Sequence, residues 1–168
     1  MDLRGGILYH YMLENIFPNL RVAICKAGYN IKNFDLNEAK EVIKTRPQNL
    51  SLNEMFLVVN TYKEGSQEFI DVFETAVRMY PADEVANLNA AGSAILRNDL
   101  VSAKRYLSRV TSEKYPAEYN NAMGLQALLN GEYELTETYL KLAVDKDLEA
   151  AKLNREELEK KKRSNSLN

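Results

Sequence analysis

The chain has no tryptophan, one cysteine and one histidine. With Cys25 alone, an intrachain disulfide and a multi-thiolate zinc site are excluded. With His10 alone, a histidine-rich metal centre is excluded, and a nucleophile–base pair would have to join His10 to Cys25 or to a serine. His10 reads instead as a surface or interface histidine on a short helix. No run of 18 apolar residues occurs, so no membrane-spanning helix is expected. The N-terminus lacks the basic segment and long apolar core of a signal peptide, and no apolar run before Ala23-Ile24-Cys25 makes a lipoprotein site. Nor is there an excess of one charge. The balance of 22 Lys and Arg against 24 Asp and Glu leaves a net charge of −2, so no basic footprint for nucleic acid is expected. A P-loop and a Gly-x-Gly-x-x-Gly motif are both missing. These absences point away from catalysis, and no cofactor or metal is expected.

What is there is a repeat. The segment from Asp83, DEVANLNAAGSAILRNDLVSAKRYLSRV, is echoed about 33 residues later by PAEYNNAMGLQALLNGEYELTETYLKLAV from Pro116. Asn87, Ala90, Ala91 and Ala94 recur at helical spacing and find counterparts in Asn120, Met123, Gly124 and Ala127. Breaks at Asn98-Asp99 and Gly131 follow. Second stripes come next, Ala103, Leu107 and Val110 in one copy and Thr136, Leu140 and Ala143 in the other. Ala91 and Gly124 are small enough to let two helices approach closely. Asn98 and Gly131 tolerate the left-handed backbone that ends a helix. An earlier, irregular copy holds SLNEMFLVVNTY and SQEFIDVFETAVRMYP, with Phe73, Ala76 and Pro81 at matching offsets. A period in the low thirties means stacked helical hairpins.

Capping residues place the other helices. Asp35, with Glu38 three residues on, opens one through Thr45, and Pro47 follows its end. Ser51 with Glu54 opens the next, which makes the Asn49-Leu50-Ser51 sequon a cap rather than a glycosylation site. Ser66 starts another, and Pro116 fits the first turn of the helix holding Tyr119. Glu132, Glu134 and Glu137 complement a helix dipole at its start, and Lys160 to Arg163 complement one at its end rather than forming a localisation or phosphate-binding patch. The last helix, over 148–163, carries Ala151 and Leu158 on a thin apolar stripe, with Leu153 a candidate third member, and suits the closing of a stack. Before the repeats, residues 7–17 form a short helix stopped by Pro18, and residues 20–31 alternate as an extended segment that needs a pairing partner. The expected organisation is a leader over 1–34, a helical repeat domain over 35–163 and a frayed tail over 164–168.

This pattern resembles the tetratricopeptide repeat, a helix-turn-helix of about 34 residues. The match rests on the small residue of the first helix, the Gly131-Glu132-Tyr133 turn, Ala103 of the second helix and the closing Ala76 and Pro81. The family's frequent tryptophan is missing, and Thr136 stands where Ala103 has its counterpart. The resemblance covers about residues 50–148. It implies an all-α fold, a right-handed stack of about three hairpins behind a short helix and extended leader.

In such stacks the first helix of each repeat lines a concave groove. Carried over, that face holds Asn53, Phe56, Asn60 and Lys63, then Val85, Leu88 and Gly92, then Asn121, Leu125 and Leu128. Asparagine amides both donate and accept, which suits a peptide backbone. The alternative reading makes Leu88, Leu125 and Leu128 core and has the asparagines cap helices or face solvent. Asn87 and Asn120, at equivalent repeat positions, are expected to tie helices together. Leu88 and Gly92 replace the Lys-Asn pattern of repeats that clamp acidic chaperone tails.

A second resemblance lies in IFPNLR, in YNIKNFDLNEAKEVIKTRPQNLSLNEMFLV and in FETAVRMYP followed by VANLNAAGSAILRNDLVSAKRYL. These are similar to the C-terminal region of Bacteroides-type outer-membrane-associated proteins, in which an OmpA-like domain precedes helical repeats and whose genes often lie beside fimbrial clusters. On that resemblance residues 1–34 are the remnant of the OmpA-like part, too small to inherit peptidoglycan binding. The implied location is the periplasm or outer membrane. The implied function is a non-enzymatic module holding a peptide or protein partner. The alternative is a structural tail that docks on a neighbouring domain or pairs as a homodimer through residues 20–31.

Overall fold

The computed structural model describes residues 6–16 and 33–165. The expected extended segment over 20–31, with Ile24 and Cys25, lies outside them, as do Phe17, Pro18 and residues 166–168. The chain divides into two compact units, Met1–Lys32 and Asn33–Asn168. In the first, α1 (Ile7–Tyr11) runs on into a π-helical turn, Met12–Ile16. His10 is exposed there, its ring edge-on to Tyr9 at 6.2 Å.

The described part of the second unit is helical throughout, with no strand. Its helices are α2 (Leu36–Thr45), α3 (Leu52–Val59), α4 (Gln67–Met79), α5 (Glu84–Leu96), α6 (Leu100–Leu107), α7 (Pro116–Leu129), α8 (Tyr133–Val144) and α9 (Glu149–Asn165). A 3₁₀ turn, Pro47–Asn49, separates α2 from α3. The last helix thus runs two residues into the expected frayed tail.

Local chemistry sets these boundaries. The Asp35 carboxylate accepts from the N–H groups of Asn37 and Glu38. Ser66, Asp83 and Asp99 cap α4, α5 and α6 in the same way, each accepting from the N–H three residues on. Pro116 occupies the first turn of α7, where a missing N–H costs nothing. Asn98 and Gly131 have φ of 59° and 77°, the left-handed conformation expected at the breaks. Around each, two backbone bonds close the preceding helix: Asn98 N–H to Ile95 O and Asp99 N–H to Ala94 O, then Gly131 N–H to Leu128 O and Glu132 N–H to Ala127 O. Asp99 therefore ends one helix with its backbone and starts the next with its side chain.

The Ser51–Glu54 pair is a full capping box. Glu54 N–H reaches Ser51 Oγ at 3.3 Å, and Ser51 N–H reaches Glu54 Oε2 at 2.7 Å. Glu54 Oε1 also accepts from Phe34 N–H at 2.9 Å, pinning the strand of chain before α2. The Ser51 hydroxyl is the main reason the Glu54 carboxyl sits below its ordinary 4.5; partial burial opposes it, and the N–H groups of Ser51 and Phe34 add to it. A depressed folded pKa contributes stability above the unfolded pKa and loses it as pH falls through the folded value. Ser51→Ala should cost about 1 kcal/mol at pH 7 in denaturant titrations. The deficit of Glu54→Gln should shrink as pH drops below the ordinary carboxylate range. A deficit that stays constant with pH would contradict this account.

Consecutive helices pack on one another from α2 through α9, and α5 also packs on α7, and α7 on α9, two places along. α5 lies at the centre. Ala86, Asn87, Ala90, Ala91, Ser93, Ala94 and Ile95 are all buried, more than one stripe of a helix. Small side chains let α4, α6 and α7 come close to it on several sides. Gly124 serves α7 and α8 likewise, since a Cβ there would stand 3.0 Å from Cγ and Cδ2 of Leu140. Thr136 is fully buried where Ala103 is in the preceding copy, and its hydroxyl is satisfied by Glu132 O at 3.0 Å. That local bond makes the departure from alanine tolerable.

The last helix departs from its expected pattern. Ala151 and Leu158 are fully buried, but Leu153 is 56% exposed and does not belong to the stripe. Two residues beyond Ala151 is about 200° around a helix, which turns Leu153 away from the packed side.

Candidate functional site

The expected binding face is carried by α3, α5 and α7. Asn53 and Asn60 are exposed, Asn60 as the C-cap of α3, and Lys63 is exposed in the turn that follows. Phe56, Val85, Leu88, Gly92, Asn121, Leu125 and Leu128 are each half-buried. Phe56, Leu88 and Leu125 rest on a single core cluster that includes Met55, Phe73 and Ala91. Leu88, Leu125 and Leu128 each keep part of their surface in solvent.

The asparagines divide by role. Asn87 is completely buried and its amide donates to Pro81 O at 3.0 Å and Asp83 O at 2.7 Å. It fastens α5 to the turn that leads into it. Asn120 makes the shorter version of this bond, to Pro116 O at 2.6 Å. Asn121 Oδ1 accepts from the Asn154 amide of α9 at 2.9 Å. Asn154 is the residue missed by sequence reasoning at this face, although it stands one repeat period, 33 residues, beyond Asn121. Glu137 was expected to serve the dipole of α8. Instead it accepts from Lys162 Nζ at 2.7 Å, tying α9 down, and this bond is the main reason its carboxyl is lowered. Lys160 pairs with Glu157 at 2.6 Å, so the basic run at the end of α9 is partly answered by its own helix. Glu84 reaches across from α5 to the Thr111 hydroxyl at 2.6 Å and N–H at 3.1 Å, tying α5 to the segment after α6.

The described clefts lie elsewhere, and none includes a residue of the expected face. The largest, about 610 Å³, lies between α2, α4 and α6 and is lined by Lys44, Tyr62, Asp71, Glu74, Arg78 and Tyr106 among others. Several of its charged groups are answered by side chains outside its lining. Asp71 accepts from Gln67 at 2.7 Å, Glu74 meets Arg97 at 3.4 Å, and Lys44 meets Glu41 at 3.6 Å. A cleft of about 560 Å³ beside α9 is lined by the end of α8 and the charged face of α9, including Lys152, which is bonded to Asp147 and Glu149. A depression of about 140 Å³ sits at Phe34, Leu36 and Leu57. Two further clefts, about 380 and 530 Å³, adjoin α6 and α7 and share Lys104, Ser108, Gln126 and Asn130. Among the described residues no group of three or more His, Cys, Asp and Glu side chains is placed to hold a metal ion. No described helix is long and apolar enough to cross a membrane.

Comparison with known proteins returned no matching family, curated protein or solved structure.

Proposed function

We propose that this chain is a non-enzymatic protein-interaction module, a tetratricopeptide-like right-handed stack of about three hairpins, α3–α4, α5–α6 and α7–α8, closed by α9. It holds an extended peptide or protein segment across α3, α5 and α7. The observation that carries this reading is the row of half-buried apolar side chains, Phe56, Leu88, Leu125 and Leu128, on these three alternate helices. Phe56, Leu88 and Leu125 rest on core while keeping part of their surface open, and Asn53 and Asn60 are exposed on α3 and at its end. Apolar area supplies affinity and a few amide bonds supply register. The resemblance to OmpA-like envelope proteins supports a place at the periplasmic side of an outer membrane, within a fimbria-associated or other envelope assembly.

Affinity capture from lysate and cell-envelope fractions tests this. The wild-type chain should retain a partner that the folded Asn60→Ala/Leu125→Glu variant loses. A side chain half in solvent accepts a charge without unfolding the domain, so helicity and melting should stay close to wild type. Equal retention by both proteins would sink the assignment of this face.

A further inference from the structure

We infer that the paired clefts between α6, α7 and α8 form a second binding site, separate from the α3–α5–α7 face, for a continuous peptide segment in which one Asp or Glu side chain is flanked by apolar residues. The argument begins at Gln126. This side chain is 91% buried by its 9% relative exposure, yet no hydrogen bond to its amide occurs among the described residues, and it lines both clefts. Open to the clefts, this amide has hydrogen-bonding capacity that a ligand can take up. Its atoms are not sealed in the core, because they do not belong with the fully enclosed unpaired atoms such as Asn87 Oδ1 and Ser93 Oγ.

Lys104 stands on the wall of the same two clefts, exposed and with no acidic side chain paired to it among the described residues. Asn130 brings a second amide, and Ser108 a hydroxyl that already donates to Arg105 O at 2.8 Å. One ammonium and two amides lining the same two clefts are a donor set for a carboxylate. Glu132 at the edge of one cleft is the opposing charge, and Arg105 in the other restores the positive balance.

The layout of apolar surface selects the kind of ligand. The four polar residues are common to both clefts and so lie where the two meet. On one side is the lobe of Leu107, Met123 and Leu135; on the other is that of Leu100 and Val101, the latter 82% exposed. A carboxylate seated between two apolar lobes belongs to a side chain on a segment that runs through, not to a chain end. The cleft over α4 differs in this respect, since Lys44, Asp71 and Glu74 are already bonded to Glu41, Gln67 and Arg97.

The probes are capped, fluorescein-labelled dodecapeptides with a central Leu-Glu-Leu, Leu-Gln-Leu or Leu-Lys-Leu, titrated against the full chain by fluorescence anisotropy. The Glu peptide should bind at least about tenfold more tightly than the Gln peptide, as expected for a hydrogen-bonded charge, and more weakly as salt is raised. Lys104→Met and Val101→Glu, both on exposed positions, should each weaken it about tenfold while helicity and melting stay at wild type. Gln126→Leu should weaken it too. The Asn60→Ala/Leu125→Glu variant should bind as wild type, which separates this site from the α3–α5–α7 face. Equal binding of the Glu and Gln peptides, no binding of the Glu peptide at millimolar concentration, or indifference to Lys104→Met would overturn the proposal.

Discussion

Leu140→Ala should lower the unfolding free energy by about 3–5 kcal/mol, the range for removing a fully buried leucine whose surroundings cannot collapse. Leu140 is completely buried, and its side chain fills the space that the absent Cβ of Gly124 leaves between α7 and α8. The same contact makes a sign-changing test possible. In the wild-type chain, Gly124→Ala places a Cβ 3.0 Å from two Leu140 carbons and 3.4 Å from its backbone nitrogen, so the leucine has little room to give way. That clash should outweigh the helix-propensity gain of about 1 kcal/mol and leave the variant less stable by about 1 kcal/mol. With Leu140 already reduced to alanine, the clash is gone and the added methyl fills part of the cavity. Gly124→Ala should then be stabilising. Denaturant titrations of the four proteins measure the coupling. Additive effects would mean that α7 and α8 do not meet as described.

The second large effect is expected at α9. This helix is long and densely charged, yet among its described residues only Ala151 and Leu158 are fully buried. Beyond them it is held by the Asn154–Asn121 amide bond and by the Lys162–Glu137 pair, whose side chains are 36% and 47% exposed and therefore screened. Leu158→Glu removes about 2–3 kcal/mol of apolar burial and asks a carboxylate to take its place, which undocks the helix instead. Amide exchange across Glu149–Asn165 should quicken roughly a hundredfold while α5 keeps its protection. Trypsin should cut first at Lys152, Arg155 or Lys160. Protection retained throughout α9 would show that its docking rests on more than these contacts. Release of α9 also frees Asn121 of its partner, so this variant reports on whether Asn154 belongs to the binding face.

Much of the fold was legible in the sequence because its signals are local. Asp35, Ser51, Ser66 and Pro116 act on N–H groups within three residues of themselves, and Asn98 and Gly131 end helices by their own backbone conformation. Helical spacing marked Ala90, Ala91 and Ala94 as buried, and the repeat marked Gly124 as the counterpart of Ala91. Leu153 misled because one leucine in a charged helix offers no periodicity to say which way it faces. Glu137 misled because its spacing from Glu132 and Glu134 suggested a helix start, whereas it stands beyond the first turn of α8 and its partner, Lys162, is 25 residues away.

The sequence by itself therefore determined where each helix of 35–165 begins, where most of them end and which small residues allow close approach, since propensity, capping and periodicity act over a few residues. Only the tertiary structure decided which side chains remain half in solvent after packing, Phe56, Leu88 and Leu125 among them. It alone decided that Asn154 meets Asn121, and that Gln126 lines a cleft mostly buried and, like Lys104 beside it, without a bonded side-chain partner among the described residues. Those outcomes depend on how neighbouring helices cover one another, and coverage is a sum over contacts between residues far apart in the chain.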